Sequence, residues 1–376
     1  MSFYFLKIEK LLSNNILLLF IFVLLANIIH LAIENLLVPS ATSLETATCQ
    51  WDCFWYKEIA SHSYSAVPRL YDTNRLAQAD WAFFPLFPLA ARFVGRIFHL
   101  SFEWSGLLLN LFLWSSIITL SYKDTSERIG KVSPLLFSIF FIIYPFNVWY
   151  HTQYSESIYG FFLILLVIGL KNNNIIISSL SSFFLSLSRP TGFILTCILS
   201  VQGFLKKLKN SFLLSKNIQF EQALFYFLTI VVAGSGLACY ILYLYHLTGD
   251  GLAFLHVEKT WGKGIFPALD FNQYMQHKRR IIFFFYLIIC LWLTWKMRAR
   301  IWHLNMTIVI STLLLACCSG IASVERYIFS NPMVIEFLAF YAIRLKKEKA
   351  AILFAACFVG NLLTIFLWLR HSHILI

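Results

Sequence analysis

Charge is what this 376-residue chain has least of: 13% of its residues are Asp, Glu, Lys or Arg, about half the share in a soluble domain. Acids are the scarcer sign, 18 against 30 Lys and Arg. Hydrophobic residues make up 59%, and mean hydropathy is +0.72. One aqueous core could not hide that much apolar surface, which excludes a water-soluble globule and makes lipid the solvent. The chain also lacks a low-complexity tract, a clear repeat, and any extramembrane stretch long enough for a separate soluble domain. It therefore reads as a single all-α polytopic membrane domain over 1–376. No basic domain stands apart from the apolar runs, so the formal net charge of +12 does not point to nucleic acid.

Metal-ligand spacing is missing as well. Cys197, Cys239, Cys290, Cys317, Cys318 and Cys357 lie in apolar runs and read as packing residues. Cys49 and Cys53 flank Asp52 in a polar loop, where free thiols are favoured over a disulfide and both stay open. With no His cluster to complete a site, neither a metal nor another cofactor is expected.

What is present is a series of apolar runs of about 17 to 25 residues, the length that crosses a bilayer as helix. The first, 16–38, is too long for a signal-peptide core and has no small-residue cleavage site after it, so it reads as a retained helix. Between the runs lie basic clusters at Lys7/Lys10, Lys123/Arg128/Lys131, Lys206/Lys207/Lys209/Lys216, Lys296/Arg298/Arg300 and Arg344/Lys346/Lys347/Lys349. With Lys171 they hold seventeen of the thirty basic residues, and the positive-inside rule assigns them to the cytoplasm. The spans expected are 16–38, 103–121, 133–149, 155–170, 174–188, 191–204, 222–246, 281–295, 303–319, 328–343 and 350–369, about eleven helices. Two larger loops, 39–102 and 248–280, then face outward. Segment 81–99 is apolar but contains Pro85, Pro88, Arg92 and Arg96. Counting it as a span would turn Lys123/Arg128/Lys131 outward, so it reads as a broken helix lying in the outer interface.

The first outer loop carries Gln50-Trp51-Asp52-Cys53-Phe54-Trp55-Tyr56-Lys57-Glu58-Ile59-Ala60. Read as a helix, Trp51, Phe54, Trp55 and Tyr56 cover most of one turn, which suits an interfacial helix. Asp52 sits inside that aromatic collar, either as a carboxylate that simply faces water or as one able to take a proton from a hydroxyl.

The pattern Trp-Asp-x-x-Trp-Tyr-x-x-Ile-Ala-x-x-x-Tyr, followed by Phe83-Phe84-Pro85-Leu86-Phe87-Pro88, resembles the PIG-V family of mannosyltransferases. Later blocks agree in order: Tyr144-Pro145-Phe146 through Gln153-Tyr154-Ser155-Glu156-Ser157, Ser188-Arg189-Pro190-Thr191-Gly192 with Ser for the usual Thr, and Glu325-Arg326-Tyr327 with Pro332. The resemblance runs from about 50 to 335. It implies a GT-C glycosyltransferase fold and an inverting transfer of mannose from polyprenyl- or dolichyl-phosphate-mannose to a glycolipid or glycan acceptor. Such transfer occurs on the non-cytoplasmic face, here of a bacterial plasma membrane in preference to endoplasmic reticulum. Trp51 and Asp52 match the family's Trp-Asp pair.

The residue chemistry runs parallel. Sugar transfer from a lipid phosphate needs a base for the acceptor hydroxyl, Asp52, and positive charge for the departing phosphate, Arg189 and Arg326. Trp51, Trp55, Tyr56, Gln153, Tyr154, Glu156 and Tyr327 complete the candidate substrate-binding set. Arg189 could instead be a snorkelling helix-end residue, and Arg326 could be the ion-pair partner of Glu325 or Glu156. His62 reads better as an interfacial histidine, and in the polar turn 150–156 Glu156 is favoured over His151 as the functional residue. Lys259, Lys263, Lys278, Arg279 and Arg280 of the second loop are placed to draw in an anionic headgroup or to be solvated. No Asp-x-Asp nucleotide-sugar motif appears. A transporter, the rival from another class, would carry its ionisable residues near mid-membrane in two related halves.

Overall fold

In a computed structural model, the structure describes residues 2–68, 78–210, 216–261, 279–319 and 324–372. The described residues are helical without a strand. In chain order the helices are α1 (Ser2–Asn14), α2 (Ile16–Asn35), α3 (Leu44–Thr48), α4 (Asp52–His62), α5 (Leu86–Phe98), α6 (Phe102–Ile129), α7 (Pro134–Ile142), α8 (Glu156–Asn172), α9 (Ile175–Ser188), α10 (Pro190–Asn210), α11 (Lys216–Thr248), α12 (Ala253–Val257), α13 (Arg279–Lys296), α14 (His303–Ser319), α15 (Val324–Phe329), α16 (Pro332–Ile343) and α17 (Lys347–Leu369). Among the described residues six stretches are long and apolar enough to cross a membrane: Ile16–Asn35, Phe102–Ile129, Pro190–Leu208, Gln219–Thr248, Arg300–Cys317 and Lys347–Leu369. Ile175–Ser188, Phe284–Lys296 and Pro332–Ile343 are shorter apolar helices. The protein is therefore an all-α, multi-pass membrane protein.

Composition alone does not say which side of such a helix faces inward. In α2 the Asn15 side chain caps the start by accepting from the backbone N–H groups of Leu17 and Leu18. Leu19, Val23, Asn27, His30 and Glu34 then recur every three or four residues as the buried stripe. Leu17, Ile21, Leu25, Ile28 and Ile29 are exposed, as lipid-facing residues must be. The central helix is α6, capped by Ser101 and ended by Gly130, whose φ of 91° a side chain would strain. Helix α11 lies against α9 because Gly236 has no Cβ; one there would come within 2.5 Å of the Phe183 carbonyl oxygen.

Two expected spans are broken. Segment 133–149 is not one helix: α7 ends after nine residues, Tyr144 is extended, and Pro145–Tyr150 forms a 3-10 turn. Proline at 145 has no N–H to continue the ladder and disfavours helical backbone at Tyr144. The segment nonetheless returns along the length of α6. Tyr122 contacts Phe137 near one end, while Gln153 Nε2 donates to the Glu103 carbonyl 2.9 Å away at the other. Such irregular backbone is tolerated because it is buried and satisfied, Asn147 Nδ2 donating to the Phe141 and Ile142 carbonyls. Segment 328–343 is likewise interrupted, between α15 and α16, with Asn331 capping the second piece.

Segment 81–99 is broken as expected, a 3-10 turn at Asp80–Ala82 followed by α5. Thirteen helical residues reach about 20 Å, short of a hydrocarbon core. Phe87 and Ala91 face the protein, and Leu89, Phe93, Ile97 and Phe98 are exposed. The topology expected from the basic clusters puts the end of α6 in the cytoplasm. Thr125 is buried and donates to Glu336, so the informative probe is exposed Glu127. A cysteine introduced at 127, with the free cysteines replaced, is expected to react with an impermeant maleimide only from the cytoplasmic side. Labelling from outside would mean that 81–99 spans.

Candidate functional site

Four segments far apart in sequence meet at one end of the bundle: the start of α4, the start of α8, the α9–α10 junction, and α15. Helix α8 carries Glu156 at its first residue and Lys171 in its last turn, about 22 Å away along the axis. Lys171 there joins Asp124, Arg128 and Glu336 in a separate buried ionic network at the opposite end.

At the Glu156 end the side chains alternate in sign. Asp52 Oδ2 accepts from Arg326 Nη1 at 2.6 Å, and Arg326 Nε donates to Glu156 Oε1. The same Oε1 accepts from Arg189 Nη2 at 2.5 Å. Arg189 also donates to Ser155 Oγ through Nε (3.1 Å) and Nη2 (2.9 Å), and Tyr56 donates to that hydroxyl at 3.0 Å. Two carboxylates and two guanidiniums thus balance formally. The chain has a direction: the Asp52 side chain is 32% exposed and that of Glu156 only 3%.

Aromatic rings hold the cations. The Arg326 guanidinium lies 4.4 Å from the Tyr154 ring centroid, and Tyr327 lies within 5.9 Å of both Arg189 and Arg326. The Tyr154 hydroxyl donates to the Gln50 carbonyl and accepts the Asp52 backbone N–H at 3.1 Å. Burial pushes the Tyr56 hydroxyl up to about 12, so it remains a donor at neutral pH.

Asp52 begins α4 through local geometry. Trp51 has a φ of 51°, uncommon for a side-chain-bearing residue, and turns the chain sharply into the helix. Cys49 and Cys53 are disulfide-bonded across it, which corrects the expectation of free thiols: the sharp turn between α3 and α4 brings their Cα atoms to 5.2 Å, inside bridging range. Trp55 and Tyr56 are buried; Trp55 stacks on Phe83 at 5.6 Å, and Tyr56 packs edge-on against Phe83 and Phe87. The Trp-Asp block and the Phe-Phe-Pro block are thereby one packed unit.

The structure brings Asp52, Tyr56, Tyr154, Glu156, Arg189, Arg326 and Tyr327 together, with Trp51 at the turn and Trp55 beneath. Gln153 is buried, and its Nε2 donates to the Glu45 and Glu103 carbonyls and to Thr48, pinning the turn to α3 and α6. Arg189 is not a snorkelling residue, its side chain being 16% exposed and directed inward. Arg326 does pair with Glu156, as one of its alternatives held, and with Asp52 besides. His62 is exposed beside Glu58, away from the cluster. In the second loop Lys259 is exposed. Lys263 and Lys278 lie outside the described residues, as do the side chains of Arg279 and Arg280. Sequence reasoning missed Ser155, although it stands between two residues it singled out.

One turn along α15 from Arg326, Phe329 lines an apolar cavity of about 190 Å³ with Tyr144, Phe146, Phe285, Tyr286 and Ile289 among its walls. Compared with protein-family models and with curated proteins, the chain matches none.

Proposed function

We propose that the protein is an inverting GT-C-type glycosyltransferase that moves mannose from a polyprenyl- or dolichyl-phosphate carrier to a glycolipid or glycan acceptor, on the non-cytoplasmic face of a plasma membrane. The observation that carries this reading is the chain Asp52–Arg326–Glu156–Arg189, in which Asp52 alone of the carboxylates is reachable. In the reaction the acceptor oxygen attacks the anomeric carbon as the carbon–oxygen bond to phosphate breaks. The hydroxyl proton passes to Asp52, and the lipid phosphate leaves with the electron pair. Oδ2 is engaged by Arg326, and among the described residues no other partner reaches the carboxylate, which leaves Oδ1 for the hydroxyl. One reachable carboxylate suits a single displacement; a covalent glycosyl intermediate would need a second for the nucleophile. Arg326 and Arg189 supply planar donors for the phosphate, and the cavity beside Phe329 suits the first units of an apolar tail. The candidate base and both arginines meet at one end of the bundle, where a lipid headgroup would lie, which favours this reading over a transporter.

The test is to incubate purified protein with polyprenyl-phosphate-mannose and membrane glycolipids and look for a mannosylated product. Product from polyprenyl-phosphate-glucose alone would revise the sugar, and none from either carrier would overturn the reading. Within that assay Arg189→Lys keeps the charge but loses the fork that reaches Ser155 and Glu156 together. Initial rates over a range of donor concentrations should fall by about tenfold or more, the equivalent of about 1.4 kcal/mol. An unchanged rate and donor dependence would make Arg189 structural.

A further inference from the structure

A second constellation lies apart from the sugar-transfer site. Helix α2, which borders lipid on its outer side, carries His30 and Glu34 one turn apart on its buried stripe. His151, from the turn after the 3-10 segment, reaches the same point. All three are at least nine-tenths buried, at 3%, 1% and 3% exposure. His30 Nδ1 lies 2.8 Å from Glu34 Oε1, and His151 Nδ1 contacts that same oxygen. One ligand atom from each residue falls within 4.8 Å of the others.

Asn361 of α17 decides the protons. Its Nδ2 donates to the Tyr144 carbonyl at 3.1 Å and to Asn147 Oδ1 at 2.6 Å, so its own Oδ1 is the acceptor facing His30. The 2.8 Å contact from His30 Nε2 to that oxygen therefore carries its N–H on Nε2. A neutral His30 then aims the Nδ1 lone pair at the Glu34 carboxylate. Among the described residues Nδ1 reaches the Glu34 carboxylate alone, where it can bond only with a second proton on the ring, and His151 Nε2 has no hydrogen-bond partner. Lone pairs turned toward a buried carboxylate repel unless positive charge stands between them.

We propose that His30, Glu34 and His151 bind one divalent transition-metal ion of the zinc class. Two imidazoles and a carboxylate are a zinc-type donor set, and His with an acid at i, i+4 on one helix face is a recurring ligand spacing. Bonds of about 2.0–2.2 Å need adjustments of about an ångström in the side chains present. The Asn361 contact is the outer support such a histidine takes, a carbonyl oxygen fixing tautomer and ring plane. The ion would tie α2 and α17 to the buried turn five residues ahead of Glu156. Its role is to hold that turn, and the site stands independently of what the protein transfers.

The experiment uses full-length protein in detergent, stripped with EDTA, loaded with ZnCl2 or CoCl2 and desalted. Elemental mass spectrometry should find about one equivalent per chain, and the cobalt form should show visible d–d bands of nitrogen ligation. His151→Gln should abolish both, and Asn361→Ala should weaken retention by about tenfold or more. Wild-type protein that retains no zinc or cobalt, and so relies on an extra proton at His30, overturns the proposal. So does a His151→Gln protein that retains metal equally. Should that variant fail to fold, the cobalt spectrum of the wild type decides alone: imidazole-ligand bands support the site, and their absence ends it.

Discussion

Transfer by the Asp52→Asn protein is expected to be slower by about a hundred- to ten-thousand-fold, the usual loss when a general base is removed. Asparagine keeps the volume of the side chain and can still face Arg326, yet it cannot accept the acceptor's proton. The stability change should be small. Asp52 is one-third exposed, and an ion pair in that position is worth at most about 1 kcal/mol. The measurement is initial rate under saturating donor, together with the melting midpoint of the same preparation. An Asp52→Asn protein of full activity would remove the base from the mechanism, while loss of activity with loss of fold would make Asp52 a structural residue.

The largest effect on stability is expected at Glu156. Both arginines converge on one of its oxygens, and its side chain is 3% exposed. Alanine there would leave the buried Arg189 guanidinium without its carboxylate and Arg326 with Asp52 alone. Breaking a buried pair in this way costs about 3–5 kcal/mol. Glu156→Ala should therefore melt well below the wild type in the same detergent. Adding Arg189→Ala removes the stranded charge and should restore part of the loss. Equal midpoints for wild type and Glu156→Ala would mean that the cluster does not hold α8, α15 and the α9–α10 junction together.

Much of this site can be read before folding. Scarce charge makes the spans conspicuous, and the basic clusters orient them. That orientation brings Asp52, Glu156, Arg189 and Arg326 to one end. It does not disclose that Arg326 grips Asp52 across 274 residues, because no local pattern encodes so distant a pairing. Hydropathy reads 133–149 as one span since it registers apolarity and not the missing N–H of Pro145. Gln153 looks like a sugar ligand by chemistry, yet nearby backbone carbonyls take its amide. Cys49 and Cys53 look unpaired until α4 is known to start between them. His30 and Glu34 are hidden in an apolar run because only the packed bundle shows which face of α2 is buried.

The exposure gradient along the charged chain has a further consequence. Dissolved ions screen charges over about 8 Å at physiological ionic strength, but only where water carries them. Salt at the membrane surface can therefore weaken the pull of Arg326 on Asp52 at the exposed end. It acts less on the grip of Glu156, whose side chain is 3% exposed. One continuous chain of alternating charge behaves as two parts, a rim tuned by the ionic medium and a root less sensitive to it.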